Sequence, residues 1–157
     1  EAIREVAMLV HDALKTLGLR CSPKTSGSRG MHLLVPVMPV PHEAARLFAQ
    51  LIAQRLVAAR PDLVTVEVAK AKRGTRVYID ANQNGYGKTI ASVYSVRPVA
   101  EATVSTPVDW DEVVAGVDPR QFTIAEVAAR VAQRGDLFAG VTNRDQDLVA
   151  VVAELGR

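Results

Sequence analysis

Two long stretches carry apolar residues at helical spacing, and everything between and after them is short and punctuated. That combination dictates a mixed architecture. Over residues 3–17 the positions Ile3, Val6, Ala7, Val10, Leu14 and Leu17 recur every three or four residues, and Gly18 follows as a stop. Residues 42–60 repeat the pattern with Leu47, Leu51, Ile52, Leu56 and Ala59 before Pro61 closes what should be the longest helix. Residues 19–23 and 31–37 read as short strands, hairpin partners or close neighbours, separated by the small polar cluster Thr25-Ser26-Gly27-Ser28. Residues 75–80 and 89–96 read as two further strands around an Asn- and Gly-rich turn at 82–87, while 63–68 fits a strand or a helix start equally well. A short helix is expected from Thr106 or Asp109 to Val114. Another is expected over 124–133, with Thr123 and Glu126 forming a capping box, and a last one over 147–155. Without a strict β-α-β repeat, this order predicts an α+β fold with a mixed, largely antiparallel sheet flanked by helices.

Composition narrows the class. Apolar residues make up 48% of the 157, yet only one Trp, three Tyr and three Phe are present, so the core must be built from Val, Leu, Ile and Ala. The single cysteine, Cys21, excludes an internal disulfide and points to a reducing compartment. The longest apolar run, residues 31–41, is interrupted by His32 and three prolines and falls short of the roughly 20 residues a membrane helix needs. The chain opens on Glu1 already inside a helical pattern, so it reads as a piece of a longer polypeptide.

Charge is segregated along the chain. Residues 20–97 hold twelve basic and four acidic side chains, whereas 98–157 hold five basic and ten acidic. A middle segment this basic suits a polyanionic partner on one face, although surface Arg and Lys also simply solvate helices and loops.

Three constellations inside the basic segment carry chemistry. In Thr25-Ser26-Gly27-Ser28-Arg29-Gly30-Met31-His32, two glycines free the backbone to present N–H groups, and hydroxyls, Arg29 and His32 add donors. The result is a candidate phosphate cradle, or simply a turn. Asp80 follows the apolar run Val77-Tyr78-Ile79 and precedes Asn82, Gln83 and Asn84, which fits a carboxylate offered to a divalent cation at a strand end, or a turn cap. Lys88 and then Tyr94-Ser95-Val96-Arg97 supply a lysine and an arginine whose planar fork matches phosphate. Lys70, Lys72, Arg73 and Arg76 form the densest basic patch and suit phosphodiester contacts.

In this order, Ser-Gly-Ser-Arg-Gly-Met-His, strand-Asp-x-x-Gln-Asn, Lys-Thr and Tyr-Ser-Val-Arg, the motifs resemble the polymerase domain of bacterial DNA ligase D, in the archaeo-eukaryotic primase superfamily. The likeness spans residues 1–141, through Ser105-Thr106-Pro107-Val108-Asp109-Trp110, and leaves 142–157 as a tail or short helix. The resemblance implies a nucleotidyltransferase that adds nucleotides to DNA 3′ ends in end-joining repair by two-metal phosphoryl transfer. It gives Asp80 as a catalytic metal ligand for Mn²⁺ or Mg²⁺ and His32 as catalytic. Ser26, Arg29, His32, Gln83, Lys88 and Arg97 become the nucleoside triphosphate ligands. DNA ends or a primer-template, a ligase domain and an end-binding protein are the implied partners, in the bacterial cytoplasm at the nucleoid and away from any membrane.

The chain departs from the family in one important respect. The first two catalytic aspartates of the family, an Asp-x-Asp pair ahead of the first helix, have no counterpart in residues 1–157, and Asp109-Trp110-Asp111 lies in the wrong place. The chain alone is therefore expected to be inactive. A truncated or degenerate, non-catalytic nucleotide- or DNA-binding module is the alternative. Arg29 for Lys, Ala81 for Trp, Asn82 for Ser and Pro98 for Gly are smaller departures.

Overall fold

The computed structural model describes residues 1–155, and its long helices fall where the apolar spacing places them. Helix α1 (Ala2–Thr16) buries Val6, Ala7 and Leu14, and α2 (His42–Ala59) buries Phe48, Ile52, Ala53 and Leu56. The first predicted strand begins later than its apolar residues indicate, because Leu19 still belongs to the helix end: its N–H bonds the Leu14 carbonyl at 2.9 Å. Strand β1 is Ser22–Thr25, and it pairs antiparallel with β2 (Met31–Leu34), so the two are hairpin partners. β2 stops short of residue 37 because Pro36 has no N–H to continue a ladder. The ambiguous 63–68 segment contributes β3 (Val64–Thr65), which pairs in parallel with β4 (Val77–Tyr78).

The chain divides into two compact units. The first comprises residues 1–19, 37–90 and those from 145 onward. Here α1 and α2 pack together, β3 and β4 lie against them, and α2 also packs along a 3₁₀ turn at Ala81–Asn84. An ion pair from Arg60 to Glu5, at 2.7 Å, ties the end of α2 to α1. The late helix predicted over 147–155 is present as α5 (Leu148–Leu155), and Val37 bridges in parallel to Gln146 just before it.

The second unit, residues 20–36 and 91–144, holds the antiparallel part of the predicted sheet in a form the residues do not announce. Only β1 and β2 are regular strands, but the ladder continues through isolated bridges. Lys24 bridges antiparallel to Pro107, and Val96 bridges antiparallel to Val104. The expected strand over 89–96 is absent from the described residues. Ser95 N–H turns back to the Ser92 carbonyl, and Tyr94 sits at φ 61°, a left-handed conformation that no extended strand accommodates. The fold is α+β as expected, with its strands divided between a two-stranded antiparallel sheet, which the bridges extend, and a two-stranded parallel one.

Helices close this unit. Asp109 caps α3 (Trp110–Ala115), and α4 (Ile124–Arg134) starts on Thr123, whose hydroxyl accepts from Glu126 N–H at 3.4 Å. The reciprocal capping box forms at Asp109 and Glu112. Glu112 does more than cap. Its carboxylate takes the Asp109 N–H and a two-pronged hydrogen bond from Arg130, and pairs with Arg134 at 2.9 Å, joining α3 to α4. Burial works against this carboxylate, yet the Arg130 hydrogen bonds and the Asp109 N–H outweigh it and hold Glu112 below the usual carboxylate range. Glu112→Gln keeps the cap and removes the charge, so it should lower unfolding free energy by about 1–3 kcal/mol in urea titrations at pH 7. The deficit should shrink as pH falls through the native carboxylate's titration. A loss independent of pH would contradict the ion-pair account.

Candidate functional site

The Ser26–Gly30 turn joins β1 to β2 and is organised by one hydroxyl. Ser26 N–H bonds the Gly30 carbonyl at 2.9 Å, and Ser26 Oγ accepts from Ser28 N–H at 3.2 Å and Gly30 N–H at 3.0 Å. Two of the backbone donors expected to cradle phosphate are thus committed inside the turn, and the hydroxyl keeps its own hydrogen to offer a ligand. Anion-binding capacity passes to the side chains around the turn.

Gly27 has to be glycine. It lies at φ 66°, and an added Cβ would collide with Cγ of Arg97 and come within 2.9 Å of Ser105 N. Arg97 crosses over this bare backbone, held by its own N–H on the Thr103 carbonyl at 2.8 Å. Upstream, Tyr94 N–H bonds the Ser105 carbonyl at 2.8 Å, and the Tyr94 hydroxyl donates to Asp136. The Tyr-Ser-Val-Arg motif is thus a kinked segment stitched to residues 103–105 and delivered beside the turn.

His32 stands directly across the hairpin from Lys24. Lys24 is the feature that sequence reading missed: its side chain is 1% exposed, and its ammonium donates to the Ala91 carbonyl at 2.9 Å and to Ser105 Oγ. No local signal marks it: alternation along Cys21-Ser22-Pro23-Lys24-Thr25 puts Lys24 with Ser22, where a lysine reads as solvated, whereas Pro23, Lys24 and Thr25 are all buried. Burial, with Arg97 nearby, lowers the Lys24 pKa to about 8. Burial, then the charges of Lys24 and Arg97, push His32 down to about 4, so the imidazole is neutral at pH 7. His32 Nδ1 and Arg97 Nε are buried and without a hydrogen-bond partner among the described residues. Buried polar atoms of this kind call for a ligand or water. Arg29 lies exposed on the turn nearby in sequence.

The remaining predicted residues belong to the first unit. Asp80 is exposed at the end of β4, takes the Tyr78 hydroxyl at 3.2 Å and precedes the 3₁₀ turn. Gln83 donates to the Thr89 carbonyl, Asn82 accepts from Gln50 at 2.9 Å, and Lys88 is exposed. The described residues contain no group of three or more His, Cys, Asp or Glu side chains placed to hold a metal ion. Asp80 and its neighbours therefore do not by themselves fit two divalent cations. In the basic patch, Lys70 and Lys72 are exposed on a 3₁₀ turn. Arg73 stacks over the Tyr78 ring at 3.9 Å and bonds the Glu67 and Val68 carbonyls, and Arg76 bonds those of Arg73 and Lys72.

Comparison with known proteins adds the following. The family described as LigD, primase-polymerase domain, matches residues 1–138. The chain is 41% identical over 139 residues to the multifunctional non-homologous end joining DNA repair protein LigD of Mycobacterium tuberculosis, covering 87% of this chain and 18% of that protein. It is 36% identical over 146 residues to the bifunctional non-homologous end joining protein LigD of Bacillus subtilis, covering 90% of this chain and 24% of that one. Among solved structures, the polymerase domain from Mycobacterium tuberculosis ligase D in complex with DNA matches with a TM-score of 0.84 and 40% identity, over 90% of this chain and 49% of that chain. The chain thus spans less than a quarter of these two relatives and about half of the solved domain.

The unfolded chain protonates His32 near 6.5 and the folded chain only at about 4. The contribution of this group to stability is therefore whole above pH 6.5 and is lost as pH falls from 6.5 toward 4. Urea midpoints measured across that window should fall more steeply for the native protein than for His32→Gln. Equal slopes would contradict a neutral His32.

Proposed function

This chain belongs to the LigD primase-polymerase domain family, and from that membership we propose that it is part of a nucleotidyltransferase adding nucleotides to DNA 3′ ends in double-strand-break repair by end joining. The observation that carries the reading is the pair of buried, unpartnered atoms, His32 Nδ1 and Arg97 Nε, beside a buried lysine. A triphosphate supplies the acceptors these groups lack. Arg97 binds phosphate oxygens through its fork and stabilises charge that builds on the leaving pyrophosphate. His32, neutral, donates a hydrogen bond from its ring. The Ser26 hydroxyl and Arg29 on the turn add further ligands for the nucleotide, and Gln83 and Lys88 are proposed as nucleotide ligands from the family membership alone.

Asp80 would supply one ligand to Mn²⁺ or Mg²⁺ in the proposed two-metal transfer. Since the residues present do not make a full cation seat, the chemistry derived for this chain rests on its cations and hydroxyls. The basic residues Lys70, Lys72, Arg73 and Arg76 are proposed to run along the DNA backbone, supported by exposed lysines on a turn whose arginines brace it from within. Nucleoside triphosphate and DNA ends or a primer-template are the proposed partners, together with a ligase domain and an end-binding protein. Among the described residues no helix is long and apolar enough to cross a membrane. A second reading, a non-catalytic nucleotide- or DNA-binding module, draws on the lack, among the described residues, of any group of three or more His, Cys, Asp or Glu side chains placed to hold a metal ion.

Primer extension on a gapped duplex with Mn²⁺ and labelled nucleotide, using the full-length polypeptide that carries this chain, separates the two. Polymerase function predicts extension that falls about 100- to 1,000-fold in Arg97→Ala. DNA binding without extension would overturn it in favour of the binding module. In the same protein, the double variant Lys70→Ala with Lys72→Ala should lower the log–log salt slope of DNA binding by about 2. An unchanged slope would remove this patch from the DNA contact.

A further inference from the structure

Lys24 was not among the residues that the motifs singled out, and the activity proposed above does not use it. A buried ammonium is costly, since its lost hydration must be replaced by protein dipoles. Here the replacement is partial: one carbonyl, Ala91 O, and one hydroxyl, Ser105 Oγ, with no carboxylate in the hydrogen bonds or ion pairs of the side chain. Ser105 is itself fully buried and passes its own hydrogen to the Thr25 carbonyl at 2.8 Å, so its oxygen is free to accept from Lys24. The ammonium therefore enters the site as an uncancelled positive charge, fixed in direction by two acceptors.

We propose that Lys24 is a positioning residue for the phosphate site of His32 and Arg97, its buried ammonium fixing both the register of the hairpin against residue 105 and the positive field in which those two side chains meet an anion. This deepens the triphosphate reading above and rests on it. Two independent geometric facts support the assignment. Lys24 and His32 are direct cross-strand partners, so whatever orders Lys24 orders the strand position from which His32 projects. Ser105, the acceptor for Lys24, also donates its N–H to the Ser95 carbonyl at 2.9 Å, two residues from Arg97. Lys24 is thus linked to His32 through the strand pairing and to the Arg97 segment through Ser105.

The electrostatics agree. The charged groups acting on His32 are Lys24 from β1 and Arg97 from the 94–97 segment, and both oppose its protonation. Lys24 in turn feels Arg97, and burial places its own titration at about 8. At pH 7 the site therefore presents two cations and a neutral imidazole, and a bound polyanion relieves the repulsion between the cations. Above pH 8 one of these cations fades.

The test uses the 157-residue chain as wild type, Lys24→Met and Lys24→Arg. Three readouts are needed: thermal unfolding, the NMR titration of the His32 ring without ligand, and calorimetric binding of metal-free ATP between pH 7.5 and 9.5. Lys24→Met, an apolar near-isostere, removes a desolvated charge but leaves the Ala91 carbonyl and Ser105 Oγ without their donor, so its melting curve serves to establish that the variant is folded. The variant should move the His32 midpoint up from about 4 toward 6.5, bind ATP at least tenfold more weakly at pH 7.5 and lose the decline in affinity that wild type shows above pH 8. Lys24→Arg keeps the charge and should retain the low His32 midpoint. Unchanged His32 titration in Lys24→Met, or a Lys24→Arg protein that behaves like Lys24→Met, overturns the proposal. If wild type binds no ATP, the triphosphate reading fails, and the ligand-free His32 titration still decides whether Lys24 sets the field.

Discussion

A buried lysine ammonium held by one hydroxyl and one carbonyl is the constraint around which the second unit is arranged. Lys24, Thr25, Thr103, Ser105 and Thr106 are all buried, and each side chain is hydrogen-bonded. A polar seam of this kind tolerates one register only, since a slip of one residue would leave several buried donors unpaired. The seam fixes the hairpin against residues 103–107. It thereby sets Gly27 beneath Arg97, and the Thr103 hydroxyl closes the arrangement on the Gly27 carbonyl at 2.6 Å. Apolar packing by Val104, Val108, Val113, Phe122 and Val127 then covers an alignment that polar contacts have already specified.

The chemistry this permits follows from the choice of charges. Carboxylates of the second unit that carry ion pairs serve its architecture: Glu112 and Asp109 hold Arg130 and Arg134, and Asp118 holds Arg120. Among the described residues, the cations beside the Ser26–Gly30 turn have no such counterweight. Arg97 leaves its Nε unpaired, and His32, kept neutral, offers a ring nitrogen. Polyphosphate suits this set because its many oxygens accept from a fork, an imidazole and a hydroxyl at once. Burial raises the Cys21 thiol to about 12 and removes it from any nucleophilic role.

What the sequence made legible, and what it hid, divides along the periodicity of the signal. Helices α1 and α2 were readable because fifteen and eighteen residues give several turns of apolar repeat. Strands of two to four residues give almost no period, so 63–68 stayed ambiguous and 89–96 read as a strand until Tyr94 turned left-handed. Of the residues the motifs single out, the structure brings His32 and Arg97 close enough for the arginine charge to act on the imidazole. The site was hidden at Lys24, because a residue's burial depends on partners 67 and 81 positions away, Ala91 and Ser105, that no local pattern discloses. Ser26 was found as a ligand candidate, but its second task of collecting the turn's own N–H groups emerges only from the closed loop.

The central claim is that His32 and Arg97 form a prepared polyphosphate site, and nitrogen NMR of the imidazole and guanidinium groups during an ATP titration tests it most directly. The account predicts that His32 Nδ1 and Arg97 Nε shift together along one saturable curve, since both atoms are buried and unpartnered before the ligand arrives. If neither signal moves while ATP binds, or if the shifts are confined to the loop at residues 70–76, the account is contradicted.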